Sequence, residues 1–182
     1  MNEGASEDFA ADRREVERAG TVVLGAFARM NAAKGEAEQT FAALPRFLRG
    51  LAESAMKGEI VRQTGQGLPE WAVTIGGVSA QITAAYAILE EAGDVTALGT
   101  ADREVFRRAA GEVEHEGAHL GRLLRFMEET PPKIERAPRH LLNNERRRLA
   151  LDSLRVQSEA LREALVEMPT LAQGLQRLSG GA

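Results

Sequence analysis

The residues with the most chemical potential lie in one run, Glu112-Val113-Glu114-His115-Glu116-Gly117-Ala118-His119, which holds two of the three histidines in the chain. On a helix, residues four apart share a face, so His115 and His119 stand together with the Glu112 and Glu116 carboxylates beside them. Neutral imidazole and carboxylate oxygen are ligands for a divalent metal such as zinc, iron, manganese or nickel. Glu-x-x-His is a recurring ligand spacing on the helices of di-metal carboxylate bundles, and it occurs here as Glu112/His115 and as Glu116/His119. A complete ferritin-like set needs the same motif on a second helix, and the remaining histidine, His140, has no Glu at that spacing. The competing reading is a solvated, salt-bridged face, with Arg107, Arg108 and Arg122 close by in sequence.

Val105, Leu123 and Phe126 lie above and below the polar cluster on the same helical flank, a pattern expected of a polar site inside a bundle. Two short stretches also resemble the DinB-like metal-dependent helical bundles. His115-Glu116-Gly117-Ala118-His119-Leu120-Gly121 is similar to that family's His-x-x-x-His motif, and Thr74-Ile75-Gly76-Gly77-Val78-Ser79-Ala80-Gln81-Ile82 to the stretch carrying its first histidine. The resemblance implies a metal held by Gln81, His115 and His119, with Glu116 fixing a histidine tautomer. Gln81 stands where the family has histidine, and 33 residues lie between Gln81 and His115, fewer than the family's intervening helix needs.

A second concentration of charge is Lys133, Arg136, Arg139, His140, Arg146, Arg147 and Arg148, against only Glu135 and Glu145. Arginine forks bind carboxylates and phosphates bidentately, so this stretch suits an acidic partner. No aromatic residue is interleaved for base stacking and the net charge is −4, which weighs against nucleic acid. Beyond it, Leu151, Leu154, Ser158, Leu161, Leu165 and Met168 alternate spacings of three and four, a short coiled-coil-like seam. The seam fits either an intramolecular bundle face or a surface that binds another protein or a second copy of the chain.

The elements that must position these groups follow from apolar periodicity. Three- and four-residue spacings run almost throughout and period-two runs are missing, so the class is all-α. The pattern predicts an up-and-down bundle of about five helices, with the C-terminal helix open to self-association. Residues 1–8 read as a flexible acidic tail, 9–129 as the bundle, 130–138 as a proline-containing linker and 139–179 as a long C-terminal helix packing on the bundle or on a partner. Breaks are expected at Gly35 and Pro45, and at Pro169, which reads as the start of a short terminal segment. The stripe Trp71, Ile75, Val78, Ile82, Ala85, Leu89 marks a helix without one charge over nineteen residues, expected to be central and covered on most sides. Interior glycines Gly76, Gly77, Gly117 and Gly121 predict that this helix and the histidine helix touch closely.

Composition narrows the chemistry further. The 182 residues include no Cys, so thiolate catalysis, disulfides and Cys-ligated metals are excluded. No strand precedes a glycine cluster and no serine sits in a nucleophile elbow, which removes the common phosphate-loop and hydrolase motifs. Whether the chain is an enzyme stays open. Two readings are carried forward, a scaffold or adaptor bundle that binds a protein or itself, and a metal-binding bundle using His115 and His119. A third, a small-molecule pocket lined by Trp71 and Tyr86, has only large side chains at core spacing behind it. The polar, acidic start from Met1 to Asp12 predicts a cytoplasmic protein, and the polar residues Thr74, Ser79, Gln81 and Thr83 within the uncharged run predict no membrane span.

Overall fold

The computed structural model describes residues 3–42, 68–136, 139 and 143–180. Among them are four long helices and no strand: α1 (Glu3–Ala42), α2 (Leu68–Glu91), α3 (Thr100–Glu129) and α5 (Asn144–Leu178). A 3-10 turn at Val95–Ala97 and the five-residue α4 (Pro131–Glu135) complete them. The all-helical class thus stands, built on four long helices where about five were expected.

Local chemistry sets the ends. The Asp102 carboxylate accepts from the Gly99 amide at 2.8 Å and opens α3, and Asn143 Oδ1 accepts from the Arg146 amide at 2.9 Å and opens α5. At the far end of α5, Gly180 adopts φ +79 and its amide reaches the Arg177 carbonyl at 2.9 Å, a left-handed cap that glycine accepts without steric cost.

Helix α1 begins at Glu3, inside the stretch expected as a tail, and runs through Gly35 without a break. Helix α5 runs through Pro169. A mid-helix proline costs about 3 kcal/mol. Leu171, Leu175 and Leu178, all buried beyond it, each return roughly 1.5–3 kcal/mol of apolar burial, so continuing the helix wins.

The four helices share one core. Val16, Val23, Phe27 and Met30 of α1 meet Ile75, Val78, Ile82 and Leu89 of α2, Phe106, Val113 and Leu120 of α3, and Leu161, Met168 and Leu171 of α5. Helices α1 and α5 run antiparallel along most of their length. Arg177 binds Asp12 and Glu15 at 2.6 and 3.0 Å at one end, Arg18 binds Glu167 at 2.9 Å midway, and Ser153 Oγ donates to the Ala33 carbonyl at 2.6 Å at the other. On α5's other flank, Arg162 reaches Glu128 of α3 at 2.5 Å. The two helices approach at Gly117, where a Cβ would stand 3.8 Å from Met168 Cε.

The expected glycine contact between α2 and α3 is narrower than the sequence implied. A Cβ at Gly77 would lie 3.6 Å from Glu112 Oε1, whereas Gly76 and Gly121 face nothing within 4 Å and Gly117 turns to α5.

Candidate metal cluster and exposed helix face

Helix α3 buries Phe106, Ala109, Ala110, Val113, Leu120, Leu123, Phe126 and Met127, and the residues between them radiate outward. The helical advance of about 100° per residue puts Val113 and Leu120 at the core, Glu112 and Glu116 on the flank toward α2, and His115 nearly opposite the core. Exposure follows that order. The Glu116 side chain is 14% exposed and that of His115 70% exposed, while His119 is half-buried between them. The polar site expected inside the bundle therefore sits at its surface.

Three residues converge there. Donor atoms of His115, Glu116 and His119 all lie within 4.8 Å of one another. His115 Nε2 is 3.8 Å from Glu116 Oε1, and the two imidazole centroids are 5.2 Å apart with their planes tilted by 53°. The second carboxylate oxygen, Glu116 Oε2, is buried without a hydrogen-bond partner. Arg122, one turn further along, stands with Nη2 2.7 Å from His119 Nδ1. A guanidinium only donates, so Nδ1 accepts and the neutral ring carries its proton on Nε2.

Two of the sequence-derived metal residues lie apart from that trio. Glu112 is half-buried against Gly77 of α2. Gln81 sits one turn beyond Gly77 along α2, and the short connection over residues 92–99 returns α3 antiparallel to α2. Taking Gly77 and Glu112 as level, Gln81 and His115 are offset by four plus three residues, about 10 Å at 1.5 Å per residue. That register brings Gln81 level with Arg108, away from the histidines.

The arginine stretch divides. Arg139 and Arg148 are exposed, Arg146 and Arg147 are half-buried in the first turn of α5, and His140 lies outside the described residues. Of the seam, Leu161 is fully buried, and Leu151, Leu154 and Leu165 are half-buried along α5 where it packs on α1 and α3. A partner could reach Leu161 only by displacing those helices.

Tyr86 braces the fold. Its hydroxyl donates to the Glu17 carbonyl at 2.7 Å, with the Val16 carbonyl 3.2 Å away, and burial is the main cause that pushes its ionisation above the ordinary tyrosine range. A half-open cleft of about 480 Å³ lies elsewhere, between α3 and α5, over Val113, Gly117, Leu165 and Met168.

The surface that sequence reasoning misplaced is on α2. Ile75, Val78, Ile82, Ala85 and Leu89 enter the core as expected, but Val73, Gly76, Ala80, Thr83, Ala84 and Ala87 are exposed, Val73 by 72%. Within Ala72–Glu91 only Ile75, Val78, Ile82, Ala85 and Leu89 are fully buried, and the helix is long and apolar enough to cross a membrane by length and composition alone. Its inner stripe belongs to a core shared with helices whose outer faces carry many charges, which is consistent with no membrane span. The signal for this surface was present as the charge-free run, a third of whose described residues the other described helices leave exposed.

No family model, curated protein or solved structure matches this chain.

Proposed function

We propose that this protein works by association, as an up-and-down helical bundle whose outer α2 face docks against the same face of a second copy. The observation that supports this reading is the combination of nineteen uncharged residues, Trp71 to Leu89, with an outer face, Val73, Gly76, Ala80, Thr83, Ala84 and Ala87, that is exposed. Exposed apolar surface gathered on one helix face marks an interaction site. Gly76, Ala80 and Ala84 recur every four residues on that face, and their small side chains let a second helix axis come close.

A second copy is the favoured occupant because a two-fold contact lays a patch on itself, and a patch without charge has nothing to repel its own image. One helix face lies at the low end of interface sizes, so the association is weak and concentration-dependent.

Sedimentation velocity across a concentration series tests it. The wild-type mass is expected to rise from 19.7 kDa toward twice that value. Ala80→Arg, which places a charge at the middle of the face, is expected to remain a single chain. A wild type that stays at one chain at hundreds of micromolar, or an Ala80→Arg variant that associates equally, overturns the proposal. A second reading, a metal-binding bundle, draws on the convergence of His115, Glu116 and His119.

A further inference from the structure

We infer that His115, Glu116 and His119 form a three-ligand site for a zinc-class divalent ion, and that Arg122 competes with the ion for His119. The site is separate from the α2 face and does not depend on it.

Three observations carry the inference. The first is convergence. Ligands at zinc distances of about 2.0–2.2 Å in a tetrahedral shell stand roughly 3.4 Å apart. The His115–Glu116 pair is already at 3.8 Å and the whole set lies within 4.8 Å, so modest side-chain rotation contracts it without moving the helix backbone. The second is the buried Glu116 Oε2, which has no hydrogen-bond donor. A buried carboxylate oxygen is costly to leave unpaired, and an ion that Glu116 holds through both of its oxygens relieves that cost. The third is Arg122, a cation already drawn to the cluster and held 2.7 Å from His119 Nδ1.

Arg122 and the ion exclude one another at His119. An ion on Nδ1 takes the lone pair that Arg122 now uses. An ion on Nε2 requires the ring proton to move to Nδ1, which then donates and can no longer accept from Arg122. Ion binding on either nitrogen therefore releases the guanidinium. Two imidazoles and one carboxylate make a borderline donor set suited to zinc. Because His115 faces solvent, the fourth position is open to water.

Zinc titration of the metal-stripped full chain by calorimetry, with Co²⁺ absorption as a check on geometry, tests the proposal. The wild type is expected to bind one zinc per chain and to give the visible bands of tetrahedral Co²⁺. Glu116→Gln and His115→Ala, both conservative of the fold, are expected to weaken zinc by about tenfold or more, the lower bound of what changes around a bound metal cost. Glu112→Gln is expected to leave affinity unchanged, since that carboxylate faces Gly77. Arg122→Ala is expected to tighten zinc, because no guanidinium then competes for His119. Absence of saturable zinc binding in the wild type, or equal binding by Glu116→Gln and His115→Ala, overturns the site. Unchanged or weaker binding by Arg122→Ala overturns the competition.

Discussion

Gly20→Ala should destabilise the protein, while Gly25→Ala, five residues along the same helix, should stabilise it. Glycine in a helix interior costs about 1 kcal/mol relative to alanine, so propensity alone favours both changes. The surroundings then decide. A Cβ at Gly25 meets nothing within 4 Å. At Gly20 it would overlap Tyr86 Oη and lie 2.9 Å from Tyr86 Cζ and 3.2 Å from Ile82 Cγ2. Tyr86 cannot retreat cheaply, because its hydroxyl is held by the Glu17 carbonyl at 2.7 Å and Ile82 is fully buried. Overpacking of this kind costs roughly 1–3 kcal/mol, and a displaced hydroxyl forfeits about 1 kcal/mol of hydrogen bonding. After the helix gain is subtracted, Gly20→Ala loses about 1–3 kcal/mol. For a chain of this length that lowers Tm by roughly 2–4 °C per kcal/mol, while Gly25→Ala raises it by a similar step. Urea and thermal unfolding followed by circular dichroism give both numbers. In a Tyr86→Phe background the overlapping oxygen is gone, so Gly20→Ala should cost about 1 kcal/mol less there. A Gly20→Ala variant as stable as Gly25→Ala, or strictly additive effects with Tyr86→Phe, would refute the reasoning.

Further expectations concern the long C-terminal helix and pH. Asn143→Ala removes the acceptor that meets the Arg146 amide and should cost about 1 kcal/mol in urea unfolding. Ser153→Ala breaks the bond to the Ala33 carbonyl and strips the buried Gln157 amide of its 3.0 Å acceptor; it should cost about 1–3 kcal/mol, with part recovered by Ser153→Ala/Gln157→Leu. The Tyr86 hydroxyl ionises above the ordinary tyrosine range, so its contribution is complete below about pH 10 and fades as pH rises through the raised folded value. Tyr86→Phe should flatten the alkaline limb of the stability profile. The Glu167 carboxyl is held below its usual range by the hydrogen bond from Arg18, so its contribution is present above that range and is lost as pH falls through the lowered value. Glu167→Gln should shrink the difference between urea midpoints at pH 7 and pH 3.

Much of the fold was legible because burial imposes a period. The stripes through Val16, Val23, Phe27 and Met30, through Ile75, Val78, Ile82, Ala85 and Leu89, and through Phe106, Val113, Leu120 and Met127 are the core residues of their helices. Helix ends were less legible, since Gly35 and Pro169 are intrinsic breakers whose local cost loses to packing that only the folded chain supplies. The cluster was legible in composition but incomplete in geometry. A spacing of four brought His115 and His119 together, while Gln81 and Glu112 depend on the register between α2 and α3, which no residue type encodes. The buried Glu116 oxygen and the Arg122 contact arise from rotamers, which periodicity does not reach.

The charge-free helix shows why one sequence feature admitted two opposite placements. A helix packed in a bundle needs an apolar stripe of roughly 100° to satisfy the core. Ile75, Val78, Ile82, Ala85 and Leu89 supply that stripe for α2, and α1, α3 and α5 supply theirs while keeping charges on their outer faces. Keeping charge out of the rest of Trp71–Leu89 adds nothing to this core, because Val73, Ala80 and Ala84 are exposed. The uncharged outer face thus supports the proposed pairing with a second copy, since the four described helices leave it exposed. A second α2 laid across Ala80 would cover it, and Ala80→Arg separates that pairing from folding, because residue 80 is exposed and its replacement leaves the core stripe intact.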